Sequence, residues 1–194
     1  SCADRWRGIK PESGLLSLSK APPGKGRALG GLLIVGLGTM IVPLDTSVNI
    51  AFPDITSDFA IPIPAIQWVV VCYVLIYTSL MLAFGKLGDL FGYKRIFLFG
   101  LVISAIAFIL CATAPAYHWL LLARVIQGIG AALVLSCGPA LATGLFSERR
   151  RGRALGAYTM MFGIGAAVGP SLGGIMVQLW GWESVFWFRL PITL

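Results

Sequence analysis

GAYTMMFGIGAAVGPSLGG, residues 156–174, carries no charge and is apolar enough to lie in lipid, yet it holds glycines at 156, 163, 165, 169, 173 and 174 and a proline at 170. In a water-soluble helix each interior Gly costs up to about 1 kcal/mol relative to Ala, and an interior Pro about 3. A bilayer changes that balance, because a spanning segment must pair every backbone group internally and is held helical by that need. Gly165, Gly169 and Gly173 recur every four residues, so they share one helix face and form a smooth groove for the close approach of a second helix. Pro170 lacks an amide donor and frees a carbonyl one turn back, which predicts a bend within the groove. The stretch reads as a bendable packing helix in a membrane bundle.

The rest of the chain agrees with that reading. Hydrophobic residues make up 57% of the 194 and mean hydropathy is +0.86, outside the range of an ordinary soluble domain. Charged residues are only 12% and clustered, which leaves five uncharged or nearly uncharged runs long enough to span: about 28–51, 65–85, 96–116, 119–146 and 154–180. A sixth opens near Ser184 and is cut off at Leu194, and the chain starts without Met, so a fragment of a longer protein is expected. Residues 1–27 are polar, basic and interrupted by Pro11, Pro22 and Pro23, which predicts a disordered cytoplasmic tail. The transmembrane bundle is assigned to 28–194.

The net charge of +7 raises the possibility of nucleic-acid binding, but its placement argues against it. Lys20, Lys25 and Arg27 precede the first run, Lys86, Lys94 and Arg95 follow the second, and Arg149, Arg150, Arg151 and Arg153 follow the fourth. The alternate loops, 52–64 and 115–118, hold Asp54 and Asp58 but no Lys or Arg. That alternation satisfies the positive-inside rule with a cytoplasmic N-terminus, and it predicts a multi-pass protein of the plasma membrane that does not bind nucleic acid. Cys2, Cys72, Cys111 and Cys137 are scattered without metal or CxxC spacing, so neither a metal site nor a cofactor is expected.

Two charges stand inside the apolar runs. Asp45 lies in LDTSVNIAFPDI (44–55) and Arg124 in LLLARVIQGIGAA (120–132). An ionisable group at membrane depth costs a few kcal/mol on insertion scales, so each is a functional candidate by default. Helical rise places Asp45 about 25 Å from the inner end of its run and Arg124 about 8 Å from the outer end of its own, which gives them similar depths. Whether they touch is left open by the sequence. Asn49, four residues after Asp45, and Gln127, one turn from Arg124, are the polar groups expected on the same faces. The bland alternatives are an Asp that caps an outer helix end and an Arg that snorkels to the interface. Between the second and third runs, GKLGDLFGYKR (85–95) offers Gly85, Gly88 and Gly92 for a tight turn, with Asp89 placed to hold Lys94 and Arg95 or another helix N-terminus.

Taken together, these segments resemble the major facilitator superfamily, and within it the drug–proton antiporters with fourteen transmembrane helices. LDTSVNIAFPDI resembles that group's first-helix motif, GKLGDLFGYKR the superfamily loop signature, and LLLARVIQGIGAA the fourth-helix motif with its embedded arginine. Gly156, Gly165, Gly169, Pro170, Gly173 and Gly174 reproduce the spacing of the fifth-helix antiporter motif. The resemblance implies an all-α integral membrane fold: the N-terminal six-helix half of the bundle, built as a three-plus-three inverted repeat and truncated in its sixth helix. It also implies that Arg124 takes part in proton coupling, that Gly85, Asp89, Gly92, Lys94 and Arg95 form a gating loop against a missing C-terminal half, and that the glycine helix packs across the interface between halves. Departures stand at Leu90 and Tyr93, where the loop motif usually has basic residues, and in WESVFWFRLPI (182–192), where Glu183, Ser184 and Arg189 replace parts of the group's WRW and Asn-Pro pattern.

The function implied is proton-driven efflux of drugs or antibiotics, with no cofactor beyond the proton gradient, and antibiotic resistance as its outcome. Asp45, Asn49, Arg124 and Gln127 would line the path of protons and of a small amphipathic or cationic substrate. Met160, Met161, Phe162, Tyr73 and Tyr77 are adaptable side chains suited to such a guest. The alternatives are a metabolite symporter or uniporter of the same superfamily, or a membrane fragment that does not transport. An enzyme is not expected, since no nucleophile–base set or phosphate loop is present.

Overall fold

Lipid offers the backbone no partner, and among the described residues every regular element is a helix. The structure is a computed structural model that describes residues 25–193; the tail expected over 1–27 falls almost wholly outside those residues, and Lys25 already begins a helix. In chain order the elements are α1 (Lys25–Met40), a 3-10 helix (Pro43–Asn49), α2 (Phe52–Asp58), α3 (Ile63–Ile66), α4 (Trp68–Phe91), α5 (Tyr93–Ala112), α6 (Tyr117–Gly144), α7 (Glu148–Trp180), α8 (Ser184–Trp187) and α9 (Leu190–Thr193). Among the described residues five segments are long and apolar enough to cross a membrane: Ala28–Asn49, Ile63–Phe91, Tyr93–Ala112, Tyr117–Gly144 and Glu148–Trp180.

Helix α6 is the centre of the bundle and packs broadly against both α4 and α5. Its small residues make this possible. A methyl group at Gly128 would come within 2.9 Å of the Tyr73 carbonyl on α4, and one at Gly130 within 3.0 Å of the Gly100 carbonyl on α5. The two ends of the bundle are distinct. At one end Leu145 covers Gly31, and Arg150 and Arg153 lie beside Leu29 and Leu32 of α1. At the other, the Trp182 indole donates to Asp58 at the end of α2 and packs against Phe59, while the Tyr117 hydroxyl donates to the Ala65 carbonyl.

The structure corrects the sequence reading at two places. The loop expected over 85–95 shrinks to one residue, because α4 continues through Gly85, Gly88 and Asp89, and α5 already contains Lys94 and Arg95. Gly88 is buried for packing, since an added methyl there would lie 2.7 Å from the Tyr93 ring. Gly92 alone makes the turn, with φ 90° and ψ 125°. That conformation belongs to glycine, so Gly92→Ala is expected to cost about 1–3 kcal/mol, read as a lower thermal midpoint in detergent; an unchanged midpoint would show that the turn tolerates a side chain.

The second correction concerns the sixth run, which is broken into α8 and α9 around Phe188 and Arg189. Pro191 has no amide hydrogen to donate back to the Trp187 carbonyl at the end of α8, and the Arg189 amide closes a tightened three-residue turn onto the Phe186 carbonyl at 3.3 Å. The glycine helix packs as its four-residue repeat predicts. Gly165, Gly169 and Gly173 of α7 close on the first span of this same chain: added methyl groups would meet Met40 and Pro43, Thr46, and Ser47 respectively. The second helix that fills the groove is therefore the first span of this chain. Gly156 faces open space, and a methyl group added at Gly174 would have only an Ile50 methyl nearby, at 3.9 Å. Helix α7 continues through Pro170, whose missing amide frees the Ala166 carbonyl; the Thr46 hydroxyl lies 3.5 Å from that oxygen.

Candidate functional site

Pro43 ends the α-helical part of the first span and starts the 3-10 helix that carries Asp45 into the bundle. There Asp45 meets Arg124, which α6 holds at its crossing with α4. Arg124 Nη1 donates to Asp45 Oδ1 at 2.8 Å and Nη2 to Oδ2 at 2.6 Å, a bidentate pair. The guanidinium is fixed from two further directions, by the Val69 carbonyl at 2.8 Å from Nε and by Gln127 Oε1 at 2.7 Å from Nη1. Gln127 turns its amide nitrogen to Asp45 Oδ1 at 3.0 Å. The Tyr73 ring lies under the guanidinium, 4.7 Å from its carbon. Asp45 is 7% exposed and Arg124 is fully buried, so neither the helix-cap nor the snorkelling alternative describes these residues.

A third charge completes the cluster. Arg189, in the break between α8 and α9, is fully buried and donates through Nη1 to Asp45 Oδ1 at 2.6 Å. Its Nη2 donates to the Leu44 carbonyl at 3.0 Å and to Ser47 Oγ at 2.6 Å. Phe108, Phe186 and Phe188 surround its guanidinium with ring centroids 5.5–5.7 Å away. In the sequence, Arg189 registers only as a departure from a pattern. The signal for a larger role is present there, since Arg189 is a charge among Val185, Phe186, Trp187, Phe188 and Leu190.

Asn49 does not join the cluster. It is exposed and stands on the wall of the adjoining cavity. A 3-10 helix advances about three residues per turn, so the four-residue offset that would align Asn49 with Asp45 in an α-helix rotates it away here. The cavity has a volume of about 240 Å³. Asp45, Thr46 and Asn49 give it a polar side, and Tyr73, Tyr77 and Val74 of α4 with Phe162 of α7 give it apolar walls. Met160 is exposed, and Met161 lies against Gly36, so neither lines this space. The arrangement suits a small guest with an apolar body and one polar end.

The residues at the other end form a separate group. Asp89 and Gly92 are exposed, as are Lys94 and Arg95, while Gly85 is half-buried. The Asp89 carboxylate accepts a hydrogen bond from the Tyr93 hydroxyl. Among the described residues no salt bridge joins it to Lys94 or Arg95, because the straight run of α4 keeps it one turn before Gly92. Tyr93 thus supplies a donor at a position where the resemblance leads one to expect a basic side chain.

The model of the family described as Major Facilitator Superfamily matches residues 29–194. The chain is 38% identical over 164 residues to the riboflavin transporter RibZ of Clostridioides difficile (strain 630), covering 84% of this chain and 36% of that protein. It is 39% identical over 163 residues to the methylenomycin A resistance protein of Bacillus subtilis (strain 168), covering 83% and 35%. It is also 39% identical over 163 residues to the multidrug resistance protein Stp of Mycobacterium tuberculosis (strain CDC 1551 / Oshkosh), covering 83% and 30%. The chain spans about a third of the length of these curated relatives.

Proposed function

We propose that this chain, which belongs to the Major Facilitator Superfamily, is the N-terminal transmembrane half of a proton-driven exporter of drugs or antibiotics. Its partners in this reading are the lipid bilayer, protons, a small amphipathic substrate and a second transmembrane half. The N-terminus lies in the cytoplasm, with the arginines at 149–153 on the same side of the plasma membrane. The observation that carries the reading is the buried Asp45–Arg124 pair beside an open, mostly apolar cavity.

The chemistry follows from what Asp45 holds. Its two oxygens accept four hydrogen bonds: two from Arg124 and one each from Gln127 and Arg189. A proton on the carboxylate removes the charge that gathers these groups, so the packed and released arrangements of the cluster differ in energy with proton occupancy. A guest against Asp45 and Tyr73 biases the same equilibrium. Proton and substrate then exchange through differential affinity for two conformations of one bundle, and the proton gradient is the only energy source required. The open faces of α4 and α7 provide the surface against which a second half would rock.

Everted membrane vesicles containing the full-length protein test this. With an acid interior established, adding candidate antibiotics is expected to release protons from the lumen, and a protonophore is expected to stop drug accumulation. Drug accumulation that ignores the protonophore would end the proton-driven reading. A second reading is a metabolite carrier, favoured by the 38% identity to a protein named as a riboflavin transporter. Net uptake of riboflavin into whole cells, with no extrusion of antibiotics, would select it.

A further inference from the structure

The buried cluster holds more positive charge than negative. Asp45 brings one carboxylate, while Arg124 and Arg189 bring two guanidiniums, both fully shielded from solvent. Among the described residues no second acid forms a salt bridge with either arginine. Their other partners are the Val69 and Leu44 carbonyls, the Ser47 hydroxyl and the Gln127 amide oxygen, all uncharged. An arginine does not shed its proton inside a protein, so one positive charge stays uncompensated at membrane depth, where an unpaired charge is costly.

A second, separate observation points the same way. Among the described residues, two fully buried polar atoms have no hydrogen-bond partner: Arg189 Nε and the Tyr73 hydroxyl oxygen. The first can only donate, and the second donates readily. Tyr73 lines the cavity together with Asp45. Arg189 lies behind Asp45 and does not line the cavity, so its surplus charge acts there as a field, and the Tyr73 hydroxyl is the unused donor on the cavity wall; both favour an acceptor-rich anion.

We propose that Arg189 sets the charge preference of this cavity, making it a site for small organic acids with an apolar body, carboxylates or phenolates, and discriminating against cations. The inference rests on the reading of the cavity as a transport site, and it replaces the cationic guest suggested by Asp45 alone. Val70, Val74 and Phe162 supply the apolar contacts for the body of such a guest. If Asn stood at 189, as in the pattern the segment resembles, Asp45 and Arg124 would balance and the cavity would be neutral. Arg189 changes that by a whole charge, in a setting where low dielectric makes the field strong. Outward movement of an anion also runs with an inside-negative membrane potential, which agrees with export.

Everted vesicles carrying the full-length protein, with fluorescein as the acidic probe and ethidium as the cationic one, decide the matter. The unaltered protein is expected to accumulate fluorescein in preference to ethidium. R189N is expected to shift the ratio toward ethidium by about tenfold or more, and R189K to keep it because the charge is kept. Gel filtration of detergent extracts establishes that each variant is folded. Competition in the unaltered protein gives a reading that needs no variant: benzoate is expected to inhibit dye export, and benzylammonium, which has a similar shape, is not. A ratio indifferent to R189N in folded protein, or equal inhibition by both competitors, overturns the charge preference and leaves the cavity as a transport site. Folded protein that moves neither dye, and whose proton release responds to no candidate drug, overturns both readings.

Discussion

Asp45→Asn is expected to destabilise the bundle by about 3–5 kcal/mol, more than replacement of either arginine, because it strands two buried guanidiniums at once. Arg189→Asn removes the uncompensated charge and leaves the bidentate Asp45–Arg124 pair intact, which offsets the lost bonds to the Leu44 carbonyl and Ser47 and the space left behind, so its cost should be the smallest of the three. Arg124→Asn lies between, since it forfeits the pair and leaves the Val69 carbonyl and Gln127 without their donor. The double variant Asp45→Asn with Arg189→Asn should recover part of the loss, with a coupling of about 0.5–3 kcal/mol. Thermal unfolding in detergent, followed by tryptophan fluorescence, gives the four midpoints. If Asp45→Asn unfolds at the same temperature as the unaltered protein, the charge cluster is not holding these helices together. The ordering also bears on transport assays. Loss of export in Asp45→Asn proves a proton role only after the double variant, with its fold recovered, is shown to be equally inactive.

The second large effect concerns the groove on α7. A methyl group at Gly173 would collide with Ser47 Cβ and lie 2.9 Å from its Cα, and backbone cannot yield as a flexible side chain does. Gly173→Ala is therefore expected to push α7 away from the 3-10 helix at a cost of about 1–3 kcal/mol. Ser47 accepts a hydrogen bond from Arg189, so the displacement reaches the charge cluster directly. Export should fall with stability. Gly174→Ala is the control: its nearest neighbour is an Ile50 methyl at 3.9 Å, and the better helix propensity of Ala offsets the change. Equal behaviour of the two variants, measured by the same midpoints and by vesicle export, would show that the groove does not set the position of the first span.

Much of this was legible from sequence because membrane physics leaves few options. Long apolar runs had to be helices, and a four-residue glycine repeat had to be a packing face. Asp45 and Arg124 were marked by cost alone, and helical rise gave them similar depths, but whether they touch was not legible. What stayed hidden depended on local winding and on distant contacts. The 3-10 turn after Pro43 moved Asn49 off the face of Asp45, and nothing in LDTSVNIAFPDI announces that winding. Gly85 and Gly88 look like turn residues next to Gly92, yet only Gly92 has a conformation that requires glycine. Arg189 is 144 positions from Asp45, and its partner could not be read from its neighbours. The same holds for the occupant of the α7 groove, since a smooth face does not say which helix will fill it.

The indole of Trp182 grips the carboxylate of Asp58, and Phe59 leans on the same ring. Seven residues further along the chain stands Arg189. The short helix at the mouth of the bundle is thus latched to the segment that delivers the second arginine. A tilt of that mouth helix pulls as by a lever on the segment that carries the fully buried Arg189, which ties the rim to the interior.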